Sequence, residues 1–552
     1  MSKKYNILVP DDLHLNQRNF PSFHKFITKT GSSIKFIKDR KDWVALYGNY
    51  ESKVSELNEK ARVLACLPAD TLFNYNVRGV NLFKISRAET LSKVAVEPEW
   101  YDVAYPESSR GIFDKLLINN KPVLMLCLAA AWDWLDFWSK ILADEKAFTH
   151  CCVFSGSLIY QRSLIELLRY TPTKVMVMES LFTGNDYYCE EKYGPIANNC
   201  EIRHKAVYES LAVDLSANDM DKERMKAINK IILAKNKNVE QPDFGEDIRF
   251  LHSGKIVTIL GQVVNDFSLL EYKNTGLASI EFYKELISAL VQSGFNVVFK
   301  AHPWEEKKTN IQTPFTRDAL IKYIAEFPDM EKERIKIVDH YPIEKLFAKS
   351  DFVTGLNSQS LLEAAFSGLK PLQFGNAFFG AKGFTSDYNL RNIKDCVADL
   401  NSGKISGTLH LREYKNFEEF TRRLLQGQLV SVHDSGVVRL ESIFGSPVTI
   451  GLAKKVENPV KSQGVVATQG KKSSATSPTL VEKNENATSQ KGAASLKGSA
   501  INEVIPDAGV SGNIFTLKSK KLRKFVNNPR KFCADSNISL VRMARFVFPS
   551  SR

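Results

Sequence analysis

The sequence lacks any CxxC pair and any cysteine–histidine ligand spacing. Its eight cysteines, Cys66, Cys127, Cys151, Cys152, Cys189, Cys200, Cys396 and Cys533, are scattered through 552 residues. That excludes a disulfide framework and a structural zinc as organising features, and it fits a reducing compartment. Also missing is an uncharged apolar run of the length a membrane span requires. The nearest approach, "PVLMLCLAAAWDWLDFWSKIL" at residues 122–142, carries Asp133 and Asp136 inside it. It reads as a buried strand or turn leading into a helix, with an interfacial helix presenting Trp132, Trp134 and Trp138 as the alternative. The opening stretch "MSKKYNILVPDDL" lacks the apolar core of a signal peptide and reads as a first strand, so a cytoplasmic location is expected.

Most of the chain has little net charge. The formal total is +13, but residues 513–552 hold ten Lys and Arg against one acid, giving +9. Residues 448–512 hold eight against five, giving +3, which leaves about +1 for residues 1–447. Whatever the basic character does, it belongs to the tail. Residues 448–512 are rich in Ser, Thr, Ala, Gly, Lys and Asn, a composition that cannot bury enough apolar surface to offset ordering entropy, so a disordered tether is expected there. Beyond it, Lys520, Lys521, Arg523, Lys524, Arg530 and Lys531 interleave with Leu522, Phe525 and Phe532, as in a segment that associates with an anionic membrane surface. The rival for such a pattern is RNA. A near-neutral body with a cationic tail favours the membrane, and no nucleic-acid partner is expected.

A chain this long exceeds one hydrophobic core. "YNILVP", "ARVLACLP", "THCCVFSG" and "KVMVMES" read as strands, and "YQRSLIELLRY" has helical spacing directly after Ser155-Gly156-Ser157. After a lysine-rich helical stretch from Lys222 to Asn238, the alternation resumes: "KIVTILGQ", the helix "LASIEFYKELISALVQSG", then "FNVVFKAHP", "RIKIVDH", "DFVTGL", the helix "SQSLLEAAFSG" and "KPLQFG". Strand and helix in steady order with short turns predict parallel sheets covered by helices. The expected domains are 1–245, 246–447, the tether 448–512 and the tail 513–552. Two α/β domains joined by one connection describe the GT-B type of glycosyltransferase, with two Rossmann-like domains, although other two-domain α/β proteins share that outline.

Three motifs fall at strand ends of the second domain, where a parallel sheet gathers ligand-binding loops. The first is "GQVVND", with Gln262 and Asp266. The second is "KAHP", where Pro303 ends the strand beside His302 because it has no N–H to give the ladder. The third is "GLNSQSLLEAAFSG", with Asn357, Ser358, Gln359 and Ser360 at a helix opening and Glu363 one turn in. An opening helix leaves N–H groups for a phosphate, although simple N-capping explains the same letters. Glu363 is placed to reach a ribose diol, and Gly375, Gly380 and Gly383 let backbone approach a ligand. His302 would donate to a departing phosphate.

The order Q-x-x-x-D, K-x-H-P, S-x-S-x-x-x-E-A, x-x-G-x-x-P and F-G-x-x-F-F-G-x-x-G-F-T resembles the capsule polysaccharide biosynthesis family, which includes the bacterial β-Kdo transferases. Here those letters are Gln262 and Asp266, Lys300 with His302 and Pro303, Ser358, Ser360, Glu363 and Ala364, Gly368 and Pro371, and Phe374 through Thr385. The resemblance spans about residues 255–390. It implies a GT-B fold, a CMP-activated keto-sugar donor and a histidine on the CMP phosphate. In the first half it is looser: the acid expected after the fourth or fifth strand is either Glu179 in "VMES" or Glu191 in "CEEKYG", where Glu replaces the family's Asp.

The expected activity is transfer of Kdo from CMP-Kdo to a glycolipid-linked acceptor, with retention, at the inner face of the inner membrane. Asp266 is the candidate nucleophile, with a capping role as its alternative, and His302, Glu179 and Glu191 are the other catalytic candidates. Gln262, Lys300, Asn357, Ser358, Gln359, Ser360, Glu363 and Gly383 are expected to bind the donor. No metal or cofactor is expected. A sialyltransferase using CMP-sialic acid, a teichoic-type glycerophosphate transferase and a non-catalytic assembly or export factor are the rival readings.

Overall fold

The computed structural model describes residues 4–101, 108–145, 147–232, 247–271, 279–303, 305, 314–339 and 341–445. The tether and the basic tail therefore lie outside the described residues. Two six-stranded sheets organise the rest. In the first, β1 (Asn6–Val9), β2 (Ser33–Phe36), β3 (His150–Phe154) and β4 (Lys174–Ser180) are parallel, and β5 (Asp186–Glu191) returns antiparallel to β4. The second holds β6 (Ile256–Leu260), β7 (Asn296–Lys300), β8 (Ile335–Val338), β9 (Phe352–Gly355), β10 (Pro371–Gln373) and β11 (Ser386–Asp387), all parallel. This is the α/β, two-sheet GT-B architecture that the strand and helix alternation predicts.

The spatial orders fix where ligands can bind. The second sheet runs β8-β7-β6-β9-β10-β11, the 3-2-1-4-5-6 order of dinucleotide-binding sheets, with its order reversing between β6 and β9. The first runs β2-β1-β3-β4-β5 and reverses between β1 and β3. At each reversal the adjacent loops diverge and leave a crevice at the carboxyl ends of the strands.

The first domain does not end where the polar connection begins. Residues 411–445, expected with the second domain, cross back: a short strand β12 (Leu429–Ser431) pairs antiparallel with β5, and the helix Ser435–Gly445 packs Val437, Leu440 and Phe444 on Phe23 and Phe26 of the first domain. Alternation alone cannot reveal this return, since a three-residue edge strand carries almost no pattern.

Two further expectations fail on helices. "ARVLACLP" belongs to the helix Val54–Ala65, whose Leu57, Ala61 and Leu64 recur at helical rather than alternating spacing. Residues 122–142 contain no strand; they lie in one helix, Lys121–Asp144. It is not interfacial either, because Trp134 and Trp138 are buried and the Trp138 indole N–H donates to the Tyr160 carbonyl at 2.8 Å. Asp133 is paired with Lys60 at 2.6 Å and with Arg40, while Asp136 pairs with Arg78 at 3.0 Å. Among the described residues no helix is long and apolar enough to cross a membrane. The seven described cysteines are all free thiols.

Polar bonds as well as apolar packing join the two domains. The Asn265 amide donates to the Ser92 carbonyl at 3.2 Å and Arg87 to the Glu271 carbonyl at 2.9 Å. Ala95, Val263, Val264 and Ile280 form a buried cluster beside them.

Candidate active site

A cavity of about 820 Å3 lies between the two sheets, lined from both. From the second come Gln262, Asp266, His302, Asn357, Ser358, Gln359, Ser360 and Glu363. These are the residues of three motifs separated by up to 101 positions in the sequence, gathered because each follows a parallel strand.

The loops at the β6/β9 reversal are tied to each other. The Gln262 Nε2 donates to Asn357 Oδ1 at 2.6 Å and to Ser268 Oγ at 2.9 Å, and Asn357 Nδ2 reaches the Gly375 carbonyl at 3.5 Å. Gly375 is required here, since a Cβ would stand 2.7 Å from the Leu356 carbonyl carbon. Glu305, just past His302-Pro303, is 1% exposed and accepts from the Val264 N–H at 3.2 Å and from Thr316 N and Oγ1, both at 2.8 Å. It staples the loop after β6 to the segment that follows His302.

Asp266 does two things at once. It lines the cavity, and it caps the short helix Phe267–Leu270, accepting from Ser268 N at 2.8 Å and from Gln262 Nε2 at 3.2 Å. Ser358 Oγ accepts from Ser360 N at 3.3 Å at the start of the helix Ser360–Phe366. Gln359 Oε1 accepts from the Phe182 N–H at 3.3 Å, linking this edge to the first domain.

Two expected donor-binding residues lie elsewhere. Lys300 is buried in β7 and donates to the Asp339 carbonyl; burial pulls its ammonium down to about 8, with Asp339 opposing. Gly383 packs against Asn416, whose Nδ2 donates to its carbonyl at 3.0 Å; its φ of +84° and a Cβ position 2.6 Å from that nitrogen explain the glycine. Neither lines the cavity.

From the first domain come Leu13, His14, Arg18, Phe154 and Glu179 among others. Glu179 sits near the end of β4, and its Oε2 is buried without a hydrogen-bond partner. Burial pushes this carboxyl up to about 7; Asp266 adds to the rise, while a Ser155 hydrogen bond and His14 oppose it. Glu191 is not at the cavity. It pairs across the sheet with Met176, three residues back along β4 from Glu179, and faces Lys174 at 3.6 Å. The helix opening after Ser155-Gly156-Ser157 is occupied by a protein carboxylate: the buried Glu89 accepts from Ile159 N at 2.5 Å, Gly48 N at 2.7 Å and Tyr50 Oη at 3.0 Å.

His14 and Asp11 were not singled out in the sequence, although they follow β1 as His302 follows β7. Asp11 and His14 are paired at 3.0 Å, and the ring of His14 stacks on Phe154 with centroids 5.0 Å apart. Among the described residues, no group of three or more His, Cys, Asp and Glu is arranged to hold a metal.

Residues 215–402 match the family model described as "Capsule polysaccharide biosynthesis protein". This segment has the capsule polysaccharide biosynthesis family pattern, and the resemblance read from its motifs holds. No curated protein matches the sequence. Among solved structures, the chain is similar to the Thermosulfurimonas dismutans KpsC beta Kdo 2,4 transferase, at 15% identity and a TM-score of 0.34, covering 53% of this chain and 87% of that one. The beta Kdo 2,7 transferase of the same KpsC has 17% identity and a TM-score of 0.31, over 55% and 89% of the two chains. A UDP-forming trehalose-phosphate synthase from Burkholderia xenovorans has 8% identity and a TM-score of 0.35, over 80% and 98%.

The raised Glu179 carboxyl carries a stability consequence. Its ordinary value is 4.5 and its folded value about 7, so above pH 4.5 the unfolded chain releases a proton that the folded one retains. Stability contributed at this position therefore falls as pH rises from 4.5 to 7, by up to about 3 kcal/mol, and is constant beyond. Glu179→Gln should thus stabilise the protein at pH 7.5 and leave it nearly unchanged at pH 4.5, measured as the mutant-minus-wild-type difference in urea unfolding. A difference independent of pH would show that the carboxyl is ionised in the folded state.

Proposed function

We propose that the chain is a glycosyltransferase of bacterial surface polysaccharide biosynthesis that transfers Kdo from CMP-Kdo to a glycolipid-linked acceptor, with retention. One observation carries the reading: the family motifs converge on the strand-order reversal of the second sheet, across a cavity from the reversal of the first. The nucleotide half of the donor is assigned to Asn357–Ser360 and Glu363, with Glu363 on the ribose diol and the serine hydroxyls on the phosphate. His302 donates to the phosphate oxygen that gains charge as the bond to the sugar breaks. The sugar then projects toward Glu179 and His14, where the acceptor hydroxyl must lose its proton.

Retention is met by a covalent step at Asp266. Its carboxylate oxygen bonds to the anomeric carbon as CMP departs with the bonding electrons. The acceptor oxygen then displaces Asp266 from the opposite face. Of the two candidate glutamates, Glu179 lines the cavity and stays an acid/base candidate; Glu191, facing Lys174, does not.

Calorimetric titration with CMP, together with a panel of CMP-Kdo, CMP-sialic acid and CDP-glycerol, tests the donor; turnover of either other donor in preference to CMP-Kdo would replace this reading. His302→Ala should cut turnover about 10²-fold with the fold intact, the scale of losing one transition-state donor. Unchanged turnover would make it a strand-end residue only.

Asp266→Asn discriminates chemistry from capping, because Asn caps helices as well as Asp does. CMP affinity should persist and transfer stop, and mass spectrometry of wild type with a slow acceptor should find the sugar on Asp266. Full activity of the Asn variant would leave Asp266 its cap alone.

The basic segment 513–552 is proposed to hold the enzyme at an anionic membrane surface, on the strength of +9 in forty residues against about +1 in residues 1–447. Removing it should abolish sedimentation with anionic vesicles and preserve transfer to a short soluble acceptor. Salt should weaken the binding of the intact chain. A stronger preference for RNA than for such vesicles at physiological salt would overturn this assignment.

A further inference from the structure

The loop after β1 brings a histidine to the cavity in a setting that a merely structural histidine does not need. His14 Nδ1 is 3.0 Å from Asp11 Oδ1, and the same oxygen accepts from the His14 N–H at 2.8 Å. Tyr160 Oη donates to the other oxygen of Asp11 at 2.7 Å and itself accepts from Gln161 Nε2 at 2.9 Å. Asp11 is 3% exposed and Tyr160 2% exposed. The carboxylate is thus fixed by three donors, and it fixes the ring. Stacking on Phe154, the last residue of β3, sets the ring plane.

The tautomer follows from the partners. An ionised carboxylate only accepts, so Nδ1 carries the proton and Nε2 of the neutral ring holds a lone pair. Among the described residues Nε2 makes no hydrogen bond, and His14 lines the cavity. Burial pushes the Asp11 carboxyl up, but hydrogen bonds and charge from His14, with Tyr160, outweigh it and hold the group below its ordinary value. Asp11 therefore stays ionised and ready to stabilise an imidazolium.

We propose that His14, oriented by Asp11, is the general base that removes the proton from the acceptor hydroxyl. The inference rests on the glycosyltransferase reading above. As the acceptor oxygen bonds to the anomeric carbon, its proton passes to Nε2; the electron pair of the bond being broken leaves with Asp266, or with CMP where transfer is direct. The base returns its proton to solvent after product leaves.

Position supports this over Glu179 acting alone. His14 stands at the reversal of the first sheet, the place where its loops part to admit a ligand. Glu179 lies deeper, with one oxygen sealed and unpartnered. The charged and titratable groups that line the cavity with His14 include Arg18 of its own loop, Glu179 at the end of β4, Tyr188, and Asp266, His302 and Glu363 from the second domain, while Asp11 and Tyr160 stand behind the ring.

The test uses the full chain with CMP-Kdo and acceptor. His14→Gln should retain CMP affinity and unfolding temperature while acceptor-dependent transfer falls about 10²- to 10⁴-fold, the range for losing a general base. In His14→Ala, added imidazole should restore part of the transfer. Donor hydrolysis without acceptor should fall much less than transfer in both variants. Transfer within about threefold of wild type in His14→Gln would overturn the proposal. So would a loss that imidazole leaves untouched and that donor hydrolysis shares in full. Wild type that turns over no CMP-sugar would instead remove the glycosyltransferase reading, and this role with it.

Discussion

The hydrogen bond from Gln262 to Asn357, 2.6 Å long, closes the edge of the second sheet where its strand order reverses. The geometry of the cavity depends on it. Loops diverging at a reversal have no ladder to hold them, so the crevice keeps its shape only if side chains cross it. Gln262 does so while also meeting Asp266 and Ser268, and Asn357 extends the tie to the glycine loop at Gly375. One amide pair thereby sets the relative places of three loops. Removing either amide would leave buried polar groups unpaired, which costs more than the bond itself contributes.

The same economy appears one loop further on. Glu305 is a buried carboxylate with its needs met by two backbone N–H groups and one hydroxyl. A charge so deep is tolerable only with such partners. Its consequence is that the segment just after His302 is held to the loop that carries Asp266, so two candidate catalytic groups share one frame.

How much of this was legible beforehand depended on range. The parallel sheets could be read because each strand is a short apolar run bounded by polar turns, and the second-domain site because His302, Asp266 and Asn357–Glu363 all follow such runs. The return of residues 411–445 to the first domain could not be read: Leu429–Ser431 is too short for a pattern, and its partner β5 lies more than 230 positions earlier. The strand reading of "ARVLACLP" fails because "VLACL" is continuous, and continuity does not distinguish a buried strand from the buried face of a helix. Lys300 and Gly383 match family letters, yet one is bonded to the Asp339 carbonyl and the other serves a close backbone approach to Asn416. A motif fixes residue type and leaves open which face of a strand the residue occupies.

His14 shows the opposite case, a signal present in the sequence but without a local mark. It follows β1 as His302 follows β7, with an acid three residues before it, but it has no proline to mark the strand's end at the histidine itself. What raises it above an ordinary loop histidine is a set of distant partners, Tyr160 and Phe154, brought to the first sheet's reversal by strand order alone. The two histidines then stand on facing edges of one cavity, each after a parallel strand of its own domain. A transfer reaction needs a proton donor beside the departing phosphate and a proton acceptor beside the incoming hydroxyl, separated by one sugar. In the proposed reaction, two sheets with facing reversals would fill those two places by the same structural rule, applied once in each domain.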